Sequence, residues 1–311
     1  MTRVAAIDCG TNSVRLLVAD VEAGTGPLVD LDRRMEIVRL GEGVDHTGVF
    51  AAEALERTFA ACRRFAEIVR ALGAERLRFV ATSASRDVRN RTEFVAGVRA
   101  ALGVDPEVVS GDEEARLSFA GATRELAADI DRTAPPFLVV DIGGGSTEFV
   151  LGTDAPTALA SLDMGCVRIT EQYLESDPPA PEELSNAVAA VRDLVVDVPR
   201  VIPGAAEAAT LVGLAGTVTT VAAIELGIPE YDPEQIHHFV LTHAAAEDVF
   251  RTLATETAAQ RAHNPGLEAG RVDVIVGGTA VLVGIFRVLG FKEMLVSEAD
   301  ILDGLVRSQV G

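Results

Sequence analysis

Lys292 is the only lysine in the sequence, so nearly all of its positive charge is arginine. Acids outnumber bases, 47 to 27, for a formal net charge of −20. Such an excess favours solubility and speaks against general nucleic-acid binding. An anionic ligand would have to be held locally, by arginines, backbone amides or a metal, against the overall field. The Gly-x-x-x-x-Gly-Lys signature is missing, which excludes a P-loop. Long apolar runs are missing as well: no window reaches the roughly 18 uninterrupted apolar residues a bilayer crossing needs, so no membrane association is expected. "MTRVAAID" enters a strand pattern directly, without the regions of a signal peptide, and a cytoplasmic protein is expected. Cysteine is scarce. Cys9, Cys62 and Cys166 are an odd number, far apart, with neither zinc spacing nor the look of a disulfide framework.

What is present suits a substantial core. The chain has 311 residues, 48% of them hydrophobic, enough for one large domain or two ordinary ones. The N-terminal part reads β, β, β, α, β, α, β, α. Strands are expected at Val4–Asp8, Val14–Val21, Met35–Leu40, Leu77–Ala81 and Glu107–Ser110. Residues 51–72 have helical apolar spacing and stop at Gly73. The pattern restarts at Phe137, with strands expected at Phe137–Asp141, Thr147–Leu151, Ala158–Leu162, Thr210–Leu214 and Glu293–Ser297. A three-strand opening followed by alternating helix and strand thus occurs twice, which points to an internal duplication. The stretch "ELAADIDRTAPP" separates the halves. The boundary is expected between Gly121 and Ala134, giving domains at 1–122 and 123–311.

Each half opens with the same turn. "AIDCGTNSVRLL" and "VVDIGGGSTEFVL" align Asp8, Gly10 and Ser13 with Asp141, Gly143 and Ser146. A Gly-rich turn after a strand presents several amides in one concavity, and Ser or Thr adds hydroxyl donors. An acid beside it is costly near phosphate unless a divalent cation lies between them, as Mg²⁺ does with one or two carboxylates. Two such turns suggest a polyphosphate-type ligand; the plain alternative is two ordinary β-hairpins. "GGGSTEFVLG" leads into a strand, unlike a dinucleotide-binding turn. Cys9 and Arg15 have the spacing of a cysteine-dependent phosphatase. That chemistry needs a loop entering a helix to lower the thiol pKa, whereas Val14–Val21 is strand-like.

"VSGDEEARLSFAGA" begins a helix. Ser110 and Glu113 have capping-box spacing, so Glu113 is expected to fold back on the backbone. Glu114 is left over. It either complements the helix dipole or orients and deprotonates a water attacking a terminal phosphate.

Six ordered segments, "AIDCGTNSVRLLVAD", "VSGDEEARLSFAGA", "VVDIGGGSTEFVLG", "LDMGCVRITE", "GLAGTVTT" and "RVDVIVGGTAVLVGIF", resemble motifs of the exopolyphosphatase/guanosine pentaphosphate phosphatase family. The resemblance runs from about Val4 to Gly304. It implies an α/β fold of two ribonuclease-H-like domains, of the actin, heat-shock chaperone and sugar kinase superfold, with an interdomain cleft. The implied activity is release of terminal orthophosphate from inorganic polyphosphate, or of the 5′ γ-phosphate from guanosine pentaphosphate, with Mg²⁺. Glu114 falls on the family's water-activating glutamate. The phosphate-binding loops fall on Gly10, Thr11, Asn12 and Ser13, and on Gly143, Gly144, Gly145, Ser146 and Thr147. The metal and phosphate acids fall on Asp8, Asp141 and Glu148. Arg86 matches a family arginine near the cleft, although a surface residue at a helix start reads the same way. Arg15 and Arg168 are further candidates for neutralising phosphate. Relatives often form homodimers, but no interface signature is visible.

Two departures from the family stand out. Long members carry extra C-terminal helical domains; this sequence stops at Gly311, and shorter polyphosphate is expected to suit it. The family often shows Gly-Leu-Arg-Glu-Gly near the end, where this sequence has "DILDG", with Leu302 in place of the arginine. Gly213, Gly216 and Thr217 sit at a strand-to-helix turn that faces adenosine in nucleotide-using relatives of the superfold, or is simply a small-residue helix start. His237 and His238 are expected to point in different directions and to be structural. The rival functions are an ATP-dependent kinase or ATPase of the superfold, and a non-catalytic polyphosphate or alarmone sensor.

Overall fold

The computed structural model of the protein describes residues 1–24, 26–86, 88–126 and 133–310. The chain divides into two compact units. One comprises Met1–Gly121 with Ile301–Gly311, the other Ala122–Asp300. The first division falls inside the helix Gly111–Leu126, and residues 127–132 of the expected boundary lie outside the described residues. The expectation that 123–311 forms one domain is corrected at its end, where the last helix groups with the first unit.

The first unit is built on β1 (Thr2–Cys9), β2 (Ser13–Val21), β3 (Leu28–Ile37), β4 (Arg76–Ala81) and β5 (Glu107–Val108), in the order β3-β2-β1-β4-β5. The first three are antiparallel; β4 and β5 run parallel to β1. Strand β1 is covered on both faces, which is why it reads as an almost unbroken apolar run. Ala5, Ile7 and Cys9 pack with Cys62, Phe65, Phe94 and Val98 of the helices Ala52–Leu72 and Arg91–Leu102. Val4 and Ala6 pack with Ile301, Leu302, Leu305 and Val306 of the helix Ile301–Ser308. That helix is also tied polar-wise to the unit: Arg33 donates to Asp303 at 2.8 Å, and just past its end Gln309 Nε2 donates to the Ala5 carbonyl at 2.9 Å. Leu302 therefore serves the core.

β3 differs from its expected span of Met35–Leu40. It carries Asp30, Asp32, Arg33, Arg34 and Glu36 on the edge of the sheet, where charge guards against pairing with another chain and hides the strand from a hydrophobicity pattern. β5 ends two residues early because Ser110 caps the following helix, its hydroxyl accepting from the Glu113 amide at 3.2 Å. The expected return contact is absent among the described bonds of Glu113, whose carboxylate instead accepts from Arg78 at 2.9 Å.

The second unit repeats the arrangement with β6 (Phe137–Ile142), β7 (Thr147–Gly152), β8 (Pro156–Leu162), β9 (Thr210–Leu214), β10 (Val240–Thr242) and β11 (Glu293–Val296), ordered β10-β11-β9-β6-β7-β8. Each unit is thus a ribonuclease-H-like sheet, with β10 an addition that the sequence pattern did not reveal. Leu138, Val140 and Ile142 face the main core. At its centre the helix Ile275–Leu289 is buried almost all round, so it is apolar on every face and not amphipathic.

Candidate phosphate site

The two predicted turns have the same geometry. In the first, the Gly10 amide donates to the Ser13 carbonyl at 2.9 Å; in the second, the Gly143 amide donates to the Ser146 carbonyl at 3.0 Å. What holds each turn is different. The Thr11 carbonyl accepts from the Gly41 amide at 2.8 Å, and the Asn12 carbonyl from the Val38 and Arg39 amides at 3.0 and 2.8 Å. Arg39 adopts a left-handed φ of 51°, which lets consecutive amides converge on one oxygen. In the second turn the carbonyls of Gly143 and Gly144 accept from the Cys166 and Val167 amides at 3.0 and 2.9 Å, at the start of the helix Cys166–Tyr173.

A planar trans peptide points its carbonyl and the following N–H in opposite directions. Tethering the carbonyls on one side therefore turns the next amides to the other: Asn12 and Ser13 in the first turn, Gly144, Gly145 and Ser146 in the second. Arg168 completes the second tether, its Nε donating to the Gly145 carbonyl at 2.9 Å. Arg168 was expected to neutralise phosphate; its Nε orients the turn that would bind it. Gly165 packs directly under this turn. A Cβ there would come within 2.6 Å of the Gly145 nitrogen and closer still to the Gly144 carbonyl.

The polar side chains of the turns are mostly buried. Thr11 Oγ1 meets Ser83 Oγ at 3.0 Å. Asn12 is 6% exposed, and its carboxamide oxygen and nitrogen find no partner among the described residues. A buried amide in that state calls for a ligand or a water. Thr147 Oγ1 donates to the Met164 carbonyl, so this hydroxyl serves the fold.

The acids divide into two settings. Asp8 lies opposite Arg15 across β1 and β2, and its Oδ2 accepts from Arg15 Nη2 at 2.7 Å and Nε at 3.0 Å. At the equivalent place in the second unit, Asp141 lies opposite Glu148 across β6 and β7. Directly opposed residues share a face, so these two carboxylates sit together on the side away from Leu138 and Val140. Glu148 is fully buried and accepts from Ser161 Oγ at 2.8 Å. An oxygen-only pair of carboxylates is the donor set a magnesium ion takes, with waters completing its shell. Asp141 and Glu148 fit that ion; Asp8, with its arginine, is already neutralised. No cluster of three ligating side chains occurs among the described residues.

Glu114 is buried in the first turn of its helix and is joined to Arg86 Nη2. Cys9 lies on β1 with burial, then the neighbouring Cys62 and Asp8, pushing its thiol well above the usual range. A thiol held protonated on a strand is not a nucleophile, and the cysteine phosphatase reading fails. His237 and His238 stack, with ring centroids 3.8 Å apart, contrary to the expected divergence. His238 has a left-handed φ of 64°, belonging to neither helix nor strand. In the strand-to-helix turn of the second unit, Gly213 packs against Met294, Gly216 under the Arg271 guanidinium, and Thr217 against Gly278.

Sequence reasoning missed the tethering amides of Val38, Arg39 and Gly41 in the first turn, and in the second those of Cys166 and Val167 with Gly165 packed beneath. The second set lies inside the quoted segment "LDMGCVRITE", where a glycine at a helix start was a signal. No helix of the described residues is long and apolar enough to cross a membrane.

The Ppx/GppA phosphatase family matches residues 17–311. Exopolyphosphatase 2 of Mycobacterium tuberculosis is 47% identical over 322 aligned positions, covering 100% of this chain and 99% of that protein. Among solved structures, an exopolyphosphatase-like protein superposes with a TM-score of 0.93 at 38% identity, covering 99% of both chains. The Aquifex aeolicus Ppx/GppA family member superposes with a TM-score of 0.79 at 30% identity, covering 99% of this chain and 97% of its own.

Proposed function

The chain belongs to the Ppx/GppA phosphatase family, a family of hydrolases, and on that premise we propose that it releases terminal orthophosphate from inorganic polyphosphate. The observation that carries the reading is the pair of tethered turns. In both, carbonyls are drawn back and amides are presented together, the arrangement that cradles phosphate oxygens and stabilises charge spread over them during phosphoryl transfer. The partnerless Asn12 carboxamide supplies a further donor beside the first turn.

Glu114 is assigned as the base that orients and deprotonates the attacking water. Its carboxylate is held by a guanidinium, and Glu113, its neighbour, is occupied elsewhere. Asp141 and Glu148 would hold a magnesium ion, which when bound neutralises phosphate oxygens. Arg15 is committed to Asp8 and acts on that carboxylate.

The test is phosphate release, with magnesium present, from short polyphosphate, long polyphosphate, guanosine pentaphosphate, ATP and an aryl phosphate, with Glu114→Gln alongside. Release from polyphosphate that is lost in the variant is the expected result. Release from the pentaphosphate alone would move the substrate to that alarmone. Turnover of ATP alone, or binding without turnover, would overturn the hydrolase reading.

A further inference from the structure

Arg86 was expected among the phosphate-binding residues, yet its Nε and Nη2 are turned to the protein. Nε donates to the Val109 carbonyl at 3.2 Å and Nη2 to Glu114 Oε2. Both acceptors belong to one short stretch. Val109 precedes the capping residue Ser110, and the Ser110 carbonyl accepts from the Glu114 amide at 3.0 Å. One planar guanidinium therefore bridges the end of β5 and the first turn of the helix that carries Glu114. A rigid fork of this kind fixes direction as well as charge.

The backbone of Arg86 is anchored at the other end. Its amide donates to the Ser83 carbonyl at 3.1 Å, and the Ser83 hydroxyl meets Thr11 of the first turn. A continuous path thus leads from the first phosphate turn through Ser83 and Arg86 to the Glu114 carboxylate, all within the first unit. The adjacent acid is treated differently. Glu113 goes to Arg78 with its side chain 48% exposed, whereas that of Glu114 is 11% exposed. Arg78 and Arg86 thus separate two neighbouring glutamates into a surface group and an aimed one.

We propose that Arg86 is a positioning residue: it sets the Glu114 carboxylate relative to the first turn and does not itself hold phosphate. The proposal rests on Glu114 being the base of the hydrolase described above. Lysine at 86 keeps the charge but cannot hold Val109 and Glu114 together, so Arg86→Lys should fall between wild type and Arg86→Ala.

The experiment measures kcat and KM on polyphosphate for wild type, Glu114→Gln, Arg86→Ala, Arg86→Lys and the double variant Arg86→Ala/Glu114→Gln. Misaiming a reacting group by an ångström costs about 100-fold, so Arg86→Ala should lose roughly 10- to 100-fold in kcat with KM within about twofold. The double variant should be no slower than Glu114→Gln, because the two residues act as one unit. A tenfold or larger rise in KM, whatever kcat does, would make Arg86 a phosphate ligand and overturn the proposal; so would an unchanged kcat. If Arg86→Ala does not fold, Arg86→Lys is read by the same split. An inactive wild type would sink the hydrolase reading, and an active Glu114→Gln the base assignment. Both are seen before any Arg86 variant is measured, and either takes this proposal with it.

Discussion

Replacing Gly165 by alanine tests whether the second turn works through its tether. Gly165 has an extended backbone at φ −136°, so alanine brings no dihedral penalty and the effect is purely steric. The new methyl would lie 2.6 Å from the Gly145 nitrogen, against about 3.4 Å for ordinary contact, and closer to the Gly144 carbonyl. Its neighbours are backbone, so they cannot swing aside as a flexible side chain would. Either the turn or the helix start must move by about 1 Å, a displacement that in a reacting site costs on the order of 100-fold. The bonds from Cys166 and Val167 to the turn carbonyls would stretch with it, and overpacking of this kind destabilises by about 1–3 kcal/mol. The assay is kcat and KM for phosphate release, with a thermal melt on the same preparation. Gly73→Ala is the control. Its φ of 70° strains alanine, but no atom lies within 4 Å of the new methyl, so it should lower stability by about 1 kcal/mol and leave kcat alone. If Gly165→Ala keeps activity within about twofold, the turn does not depend on this tether and the reasoning is wrong.

Cys9→Ser should retain kcat while losing roughly 1–3 kcal/mol of stability for a hydroxyl placed in an apolar site; a dead but folded variant would restore the thiol to the chemistry. Arg15→Ala removes the guanidinium from a carboxylate that is only 4% exposed, and should cost about 3 kcal/mol in denaturant melts, with Asp8→Asn/Arg15→Gln recovering part of it. Chelation should abolish phosphate release and added magnesium restore it; metal-independent turnover would contradict the role given to Asp141 and Glu148. Arg287, with His243 behind it, holds Glu247 below its ordinary value of 4.5. That contribution is complete above pH 4.5 and is lost as pH falls through the lower folded value, so Glu247→Gln should destabilise at neutral pH and converge with wild type in acid.

The repeated turns were legible because their signal is local: a strand, an acid, glycine at a fixed place and a return strand. The doubled three-strand opening made the duplicated architecture legible by the same logic. What could not be read depends on contacts between distant segments. Ser110 and Glu113 had the right spacing for a capping box, but Arg78, far away in sequence, captures the glutamate. Arg168 carries positive charge near a phosphate turn, and only the fold shows its Nε on the Gly145 carbonyl. β3 was misplaced because an edge strand can be heavily charged. The helix Ile301–Ser308 follows the second unit in sequence, and nothing in its own pattern says that its apolar face belongs on β1 and β2.

The placement of that last helix has a consequence for how the protein is made. The first unit is interrupted by the whole of the second, Ala122–Asp300. During synthesis, β1 to β5 leave the ribosome early but lack the cover for one face of β1 until Ile301–Ser308 emerges. The second unit has all its strands by then. The usual order of domain folding along a nascent chain is reversed: the unit that begins first can be completed only last, and until then Val4, Ala6 and Leu17 lack the apolar partners of the last helix.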